Sequence, residues 1–460
     1  MTEKRIHFIA IGGSAMHNLA IALHLKGYHV TGSDDEIFDP ARARLDSYGL
    51  LPEQFGWYPE KLDKSIDSII LGMHARGDNP ELTKAKELGL KIFSYPEFLY
   101  EQSKDKLRVV IGGSHGKTSI TAMILHVLQH CNVDTDYMVG AKLEGFDVMV
   151  RLTEAAKVMV FEGDEYLTSA LDLRPKFHLY KPDIALVSGI AWDHMNVFPT
   201  FENYIEQFRI FMKMIPDSGA LIYCKEDAEV RKAVESVDGK MKKLPYGVPV
   251  HHVSNGKTIL ETPEGKFPLL IFGQHNLMNL EGARIVCNQL NISKSDFYSA
   301  ISSFKGASNR LELIAEKSGF NAYRDFAHAP SKLKATIQAV KEQFPGRRLV
   351  ACFELHTFSS LNKDFLDQYA QSMEMADEAI VYFSPHALEL KKLPMLLPED
   401  VKHSFQKNGL RVFSDTNQFQ QFLMNEKWEN SNLLLMSSGN YDGLNVKEFA
   451  EKLGKWKIGK

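Results

Sequence analysis

The sequence predicts an α/β protein of three domains, each built on a mainly parallel sheet, and three observations lead there. Short apolar runs such as Val109–Ile111, Ile184–Val187 and Leu433–Met436 recur along the chain and alternate with amphipathic helical stretches, the rhythm of strands joined by crossover helices. Two of these runs end in glycine-rich turns, at Gly12-Gly13 and at Gly112–Gly116, where such sheets bind phosphate-bearing ligands. The 460 residues exceed one ordinary core, and at about 100–200 residues per domain three domains are expected. Divisions are expected at 1–105, 106–312 and 313–460.

The first domain opens with a strand over Arg5–Ile11, the turn Gly12-Gly13-Ser14, a helix to about Leu25, and a second strand, His29–Thr31, leading to Ser33 and Asp34. An acidic residue about twenty positions after the glycines stands where a ribose hydroxyl is met in doubly wound nucleotide-binding units. The dinucleotide fingerprint is broken, however. Its three glycine positions hold Ala10, Gly12 and Ala15, so a sugar nucleotide held by diphosphate is a better expectation than nicotinamide redox chemistry. Strands at Ile69–Leu71 and Ile92-Phe93 flank a helix that starts near Pro80, and Lys104-Asp105-Lys106 reads as a linker.

The second domain begins with V-V-I-G-G-S-H-G-K-T-S, from Val109 to Ser119. A buried strand, a glycine turn and an amphipathic helix in succession make a phosphate-binding loop, since converging amides and the helix N-terminus favour anions and glycine permits close approach. Lys117 is expected to reach the outer phosphates and Thr118 to ligate magnesium. The motif is the short form Gly113–Thr118, because the first glycine of the longer pattern would fall at Ile111. Downstream, the strand Val158–Phe161 ends at Glu162, and the strand Ile184–Val187 is followed by Trp192-Asp193-His194. Glu162 and His194 are therefore candidates to complete a magnesium site at the carboxyl ends of neighbouring strands.

A helix is expected over Leu277–Leu290, with Asn276 at its cap. The third domain then runs through a strand to Arg324, the string D-F-A-H-A-P, a helix Ser331–Phe344, and strands at Leu349–Cys352, Ala379–Tyr382 and Leu433–Met436. A net charge of -4 without long basic runs disfavours nucleic acid or an anionic membrane as partner. The four cysteines are dispersed and form no C-x-x-C pair, which points to reduced thiols rather than a zinc cluster or disulfide framework. With no signal peptide and no apolar run long enough to span a bilayer, a cytoplasmic protein is expected.

Taken in order, I-H-F-I-A-I-G-G-S-A-M, G-S-H-G-K-T-S, E-G-D-E, D-H-M, G-x-H-N-x-x-N at Gly273–Asn279 and D-F-A-H-A-P at Asp325–Pro330 resemble the motifs of the ATP-dependent Mur ligases over nearly the whole chain. The resemblance implies a Rossmann-like first domain binding a UDP-sugar through Gly12, Gly13, Ser14, Ser33 and Asp34. It implies a central ATPase domain in which Gly113, Ser114, His115, Gly116, Lys117, Thr118 and Ser119 hold the phosphates, and a Rossmann-like third domain for nucleotide and incoming donor. His275, Asn276 and Asn279 are implied at the adenine, Asp325 at the ribose and Arg310 at a phosphate. Lys117, Glu162 and His194 are the implied catalytic residues, and Thr118, Glu162 and His194 the Mg2+ ligands. The implied reaction phosphorylates the UDP-N-acetylmuramate carboxyl with ATP and passes the acyl group to an amine. The string from Glu162 to Pro182 is similar to that of members recycling the murein tripeptide L-Ala-γ-D-Glu-meso-diaminopimelate, and this makes the tripeptide the expected donor, with free L-alanine as the alternative. His356 stands where those members carry Arg, and Phe208 where several family members carbamylate a lysine.

Overall fold

The computed structural model describes residues 4–454 apart from 74, 142, 144, 169–171 and 193–196. The chain folds as two compact units, one formed by Met1–Val248 with Met278–Ile301 and the other by Pro249–Leu277 with Ser302–Lys460. Both are α/β. The expected 106–312 segment is thus shared between them.

In the first unit, β1 (Arg5–Ile9), β2 (His29–Ser33), β3 (Ser68–Leu71) and β4 (Lys91–Ser94) form a parallel sheet in the order β2-β1-β3-β4. The order reverses at β1, so the crevice past its carboxyl end lies beside the glycine turn, where ligands of open sheets bind. The helix Pro80–Leu88 follows β3, with Asn79 capping it by accepting from the amides of Glu81 and Leu82. Its Glu81 is fully buried and takes Nε2 of His7 at 3.3 Å and the Tyr58 amide at 2.7 Å, which ties the helix to β1. A buried carboxylate without such donors would be costly.

The larger sheet of this unit comprises β5 (Leu107–Gly112), β6 (Thr135–Met138), β7 (Val150-Arg151), β8 (Val158–Glu162), β9 (Ile184–Val187), β10 (Ala220–Cys224) and β11 (Lys242–Tyr246). Their order is β11-β10-β9-β5-β8-β6-β7, parallel except for β7. The central strands are apolar on both faces because helices cover both. On one face an aromatic cluster joins Phe177, Tyr204, Phe208 and Phe211; Phe177 stacks on Phe211 at 4.5 Å and meets Phe208 edge-on. Phe208 is completely buried there, an apolar core position.

In the second unit, β12 (His251–Ser254), β13 (Lys257–Thr262) and β14 (Gly265–Leu269) make an antiparallel meander. It is fastened to the helix Pro330–Gln343, since Thr258 Oγ1 donates to Gln343 and the Gln343 amide donates to the Gly256 carbonyl. The main sheet consists of β15 (Glu312–Lys317), β16 (Phe320–Asp325), β17 (Arg348–Leu355), β18 (Glu378–Phe383), β19 (Arg411–Phe413) and β20 (Ser431–Met436), in the order β15-β16-β20-β17-β18-β19 and parallel except for β15.

Candidate active site

The site is built where β5, β8 and β9 end side by side. After β5 the chain turns through Gly113 and Gly116, both at positive φ, into the helix Lys117–His130. A Cβ on Gly113 would fall 2.1 Å from Ser188 Oγ, and one on Gly116 2.5 Å from Asn279 Oδ1. Both glycines are therefore required twice, by backbone angle and by the neighbour pressed against them. Ile111, where the first glycine of the longer pattern would fall, is a buried residue of β5, which runs to Gly112. Asn279, expected at the adenine, lies against Gly116 of this loop.

Lys117 is buried across the loop. Its ammonium donates to the Gly113 carbonyl at 2.8 Å and to Glu165 at 2.6 Å. Burial alone would discharge the lysine, but Glu165 with Asp164 and Tyr166 outweighs it and holds the ammonium well above its ordinary range. Thr118 donates its hydroxyl to Glu162 Oε1 at 2.6 Å, while Glu162 Oε2 accepts from the Gly140 amide at 2.9 Å. Two hard oxygen donors thus meet at the mouth of the loop, a fit for Mg2+. The third expected ligand, His194, lies outside the described residues. Ser114 is turned inward: its amide donates to the Gly189 carbonyl, and its hydroxyl accepts from the Ala191 amide at 2.8 Å and meets Tyr204 OH at 2.9 Å. His115 accepts the Ser188 hydroxyl on its carbonyl, and Ser119 is buried in the first turn of the helix.

The sugar-nucleotide candidates also assemble. The Gly12 amide donates to Asp34 at 2.7 Å, the amides of Ala10 and Ile11 donate to the Ser33 carbonyl, and Gly13 leads into the helix that starts at Ser14. A Cβ at Gly12 would strike Ile37 at 2.8 Å. Burial pushes the Asp34 carboxyl up to about 6 against the pull of the Gly12 amide. In the second unit, Asp325 is already engaged by backbone, accepting the amides of Leu311 and Ala327 at 2.7 Å each. Burial lowers the His275 imidazole, and Asp325 opposes that shift. Asn276 donates to the Phe272 carbonyl at 3.0 Å, and the Arg310 guanidinium lies over the Phe326 ring.

The residues missed from sequence are Glu165, Tyr204 and Gly140. Glu165 had a signal, a second carboxylate in E-G-D-E beside a loop lysine. Tyr204 had none, since ninety positions separate it from Ser114.

Three family models match in succession: the Mur ligase family catalytic domain over residues 5–106, the Mur ligase middle domain over 111–287, and the Mur ligase glutamate ligase domain over 309–439. A UDP-N-acetylmuramate--L-alanine ligase of Sulfurihydrogenibium sp. is 30% identical over 385 residues, 82% of each chain. The chain belongs to the Mur ligase family. Two solved structures share its fold. A Thermotoga maritima UDP-N-acetylmuramate-alanine ligase has TM-score 0.70 and 19% identity, covering 98% of both chains, and a Psychrobacter arcticus murein peptide ligase has TM-score 0.62 and 22% identity, covering 99% of both. As a Mur ligase this protein is an ATP-dependent, Mg2+-using amide ligase of cell-wall peptidoglycan synthesis. Lys117 is placed where it could meet a phosphate, and the oxygens of Thr118 and Glu162 could hold Mg2+, which would supply Lewis-acid stabilisation when bound.

Proposed function

We propose that this Mur ligase joins the α-amino group of an L-alanyl unit to the lactyl carboxyl of UDP-N-acetylmuramate in the cytoplasm. A carboxylate resists attack by an amine until an oxygen is made into a leaving group. Transfer of the ATP γ-phosphoryl to it forms the acyl phosphate and ADP. The amine then attacks the acyl carbon, phosphate departs with the C–O bond, and the amine gives up a proton. The observation that carries this reading is the convergence of Lys117, Thr118 and Glu162 on one loop mouth, in the same unit as the Gly12–Asp34 turn.

Free L-alanine and the tripeptide offer the same amine and differ only beyond the alanyl carboxyl. The name carried by the Sulfurihydrogenibium relative supports free L-alanine, which is the first reading. The tripeptide is the second, favoured by the string from Lys176 to Pro182. Within that string Phe177 and Tyr180 are fully buried, and Tyr180 stacks on Phe161 at 4.3 Å. Values of kcat/KM for L-alanine and for L-Ala-γ-D-Glu-meso-diaminopimelate, with ATP and UDP-N-acetylmuramate saturating, decide between them. A ratio favouring L-alanine supports the first reading and a ratio favouring the tripeptide the second.

A further inference from the structure

The phosphate-loop lysine is held by a buried chain of polar groups that the chemistry above does not use. Lys117 has three protons to donate. Among the described residues, one goes to the Gly113 carbonyl and one to Glu165 Oε2, which leaves the third for a phosphate oxygen. Glu165 is itself 1% exposed, and its other oxygen meets Tyr204 OH at 3.4 Å. Tyr204 OH also meets Ser114 Oγ at 2.9 Å, and that hydroxyl accepts the Ala191 amide at 2.8 Å. The Tyr204 ring has no freedom to move away. It lies on the helix Phe201–Lys213, fully buried, with Phe198 and Phe208 packed 5.2 and 5.3 Å from it.

We propose that Glu165 is a positioning residue for the phosphate-loop lysine and that Tyr204 acts through Glu165 to hold it. The proposal rests on reading this loop as the ATP site. A lysine side chain has several rotatable bonds, and an ammonium fixed at two of its donors presents the third in one direction. Nucleotide binding then forfeits little side-chain freedom, and the charge stands where phosphate charge develops. The run of hydrogen bonds ends at Ala191, four residues past the end of β9.

Steady-state kinetics and calorimetric ADP binding of E165Q, Y204F and the double variant test this, with K117A as control. In E165Q the KM for ATP and the Kd for ADP should rise about tenfold, while the KM for UDP-N-acetylmuramate stays within twofold. Y204F should move the same constants in the same direction by about threefold. E165Q/Y204F should lose less than the product of the two single losses, because Tyr204 and Glu165 hold the lysine through one shared hydrogen bond. Wild-type ATP and ADP constants in E165Q, or losses that multiply in the double variant, overturn the proposal. Y204F removes one oxygen from a ring fixed by its neighbours, so wild-type constants there overturn Tyr204's part even if E165Q does not fold. Wild-type ATP constants in K117A instead overturn the loop reading itself.

Discussion

Lys117 shows how one side chain can serve both chemistry and fold. Its truncation to Ala removes the only side-chain cation of the loop but also strands Glu165, a buried carboxylate. Phosphate release should fall by at least about a hundredfold, and the folded state should be destabilised by about 3–5 kcal/mol, the usual cost of breaking a buried pair from one side. Stopped-flow phosphate detection and denaturant melts measure the two effects; a loss of turnover at unchanged stability would mean that Glu165 finds another partner. Glu162 makes a different case. In E162Q the amide keeps the shape but gives Thr118 and a cation no carboxylate, so the magnesium concentration for half-maximal rate should rise at least tenfold while UDP-N-acetylmuramate binding to the first sheet persists. A magnesium titration of the two proteins checks this. His7 and Glu81 belong to the fold alone. Burial would raise the Glu81 carboxyl, but His7, Ser33 and the Tyr58 amide together hold it below its ordinary value. A depressed carboxylate contributes stability that is full above its unfolded pKa and is lost as pH falls through the folded one. E81Q should therefore melt lower than wild type at neutral pH, with the gap closing as pH drops below 4.5.

At the scale of elements, legibility followed how local the physics was. The loop from Gly113 to Thr118 was readable because strand, positive-φ glycine and helix are consecutive and each restricts residue type. The strand Ile184–Val187 was readable to the residue, since it is buried on both faces and bounded by polar residues. The meander β12 to β14 was not. Its strands carry exposed polar residues such as His252, Lys257 and Lys266, so it lacks an apolar signal of its own, and what fixes it is Gln343 far along the chain. Tyr204 was unreadable for the same reason. G113A is the element-scale test of the loop: the methyl group would collide with Ser188 and the backbone angle would be strained, so ADP binding by calorimetry should fall at least a hundredfold. Near wild-type binding would mean the turn can be built another way.

Over the whole molecule, the proposed function divides the work between two glycine turns at the carboxyl ends of parallel strands. One, closed by Asp34, suits a sugar nucleotide; the other, closed by Lys117 and Glu165, suits ATP. The family and its ATP chemistry were legible because six strings recur in order. The donor was less legible, because the string that points to the tripeptide also carries the core residues Phe177 and Tyr180, whose burial needs no donor. The central claim is that the muramyl carboxyl is activated by phosphorylation at this loop. UDP-N-acetylmuramate labelled with 18O in its lactyl carboxyl, turned over with ATP and either L-alanyl donor, tests it most directly. The account requires one 18O atom in each phosphate released as amide forms; unlabelled phosphate accompanying amide formation would contradict it.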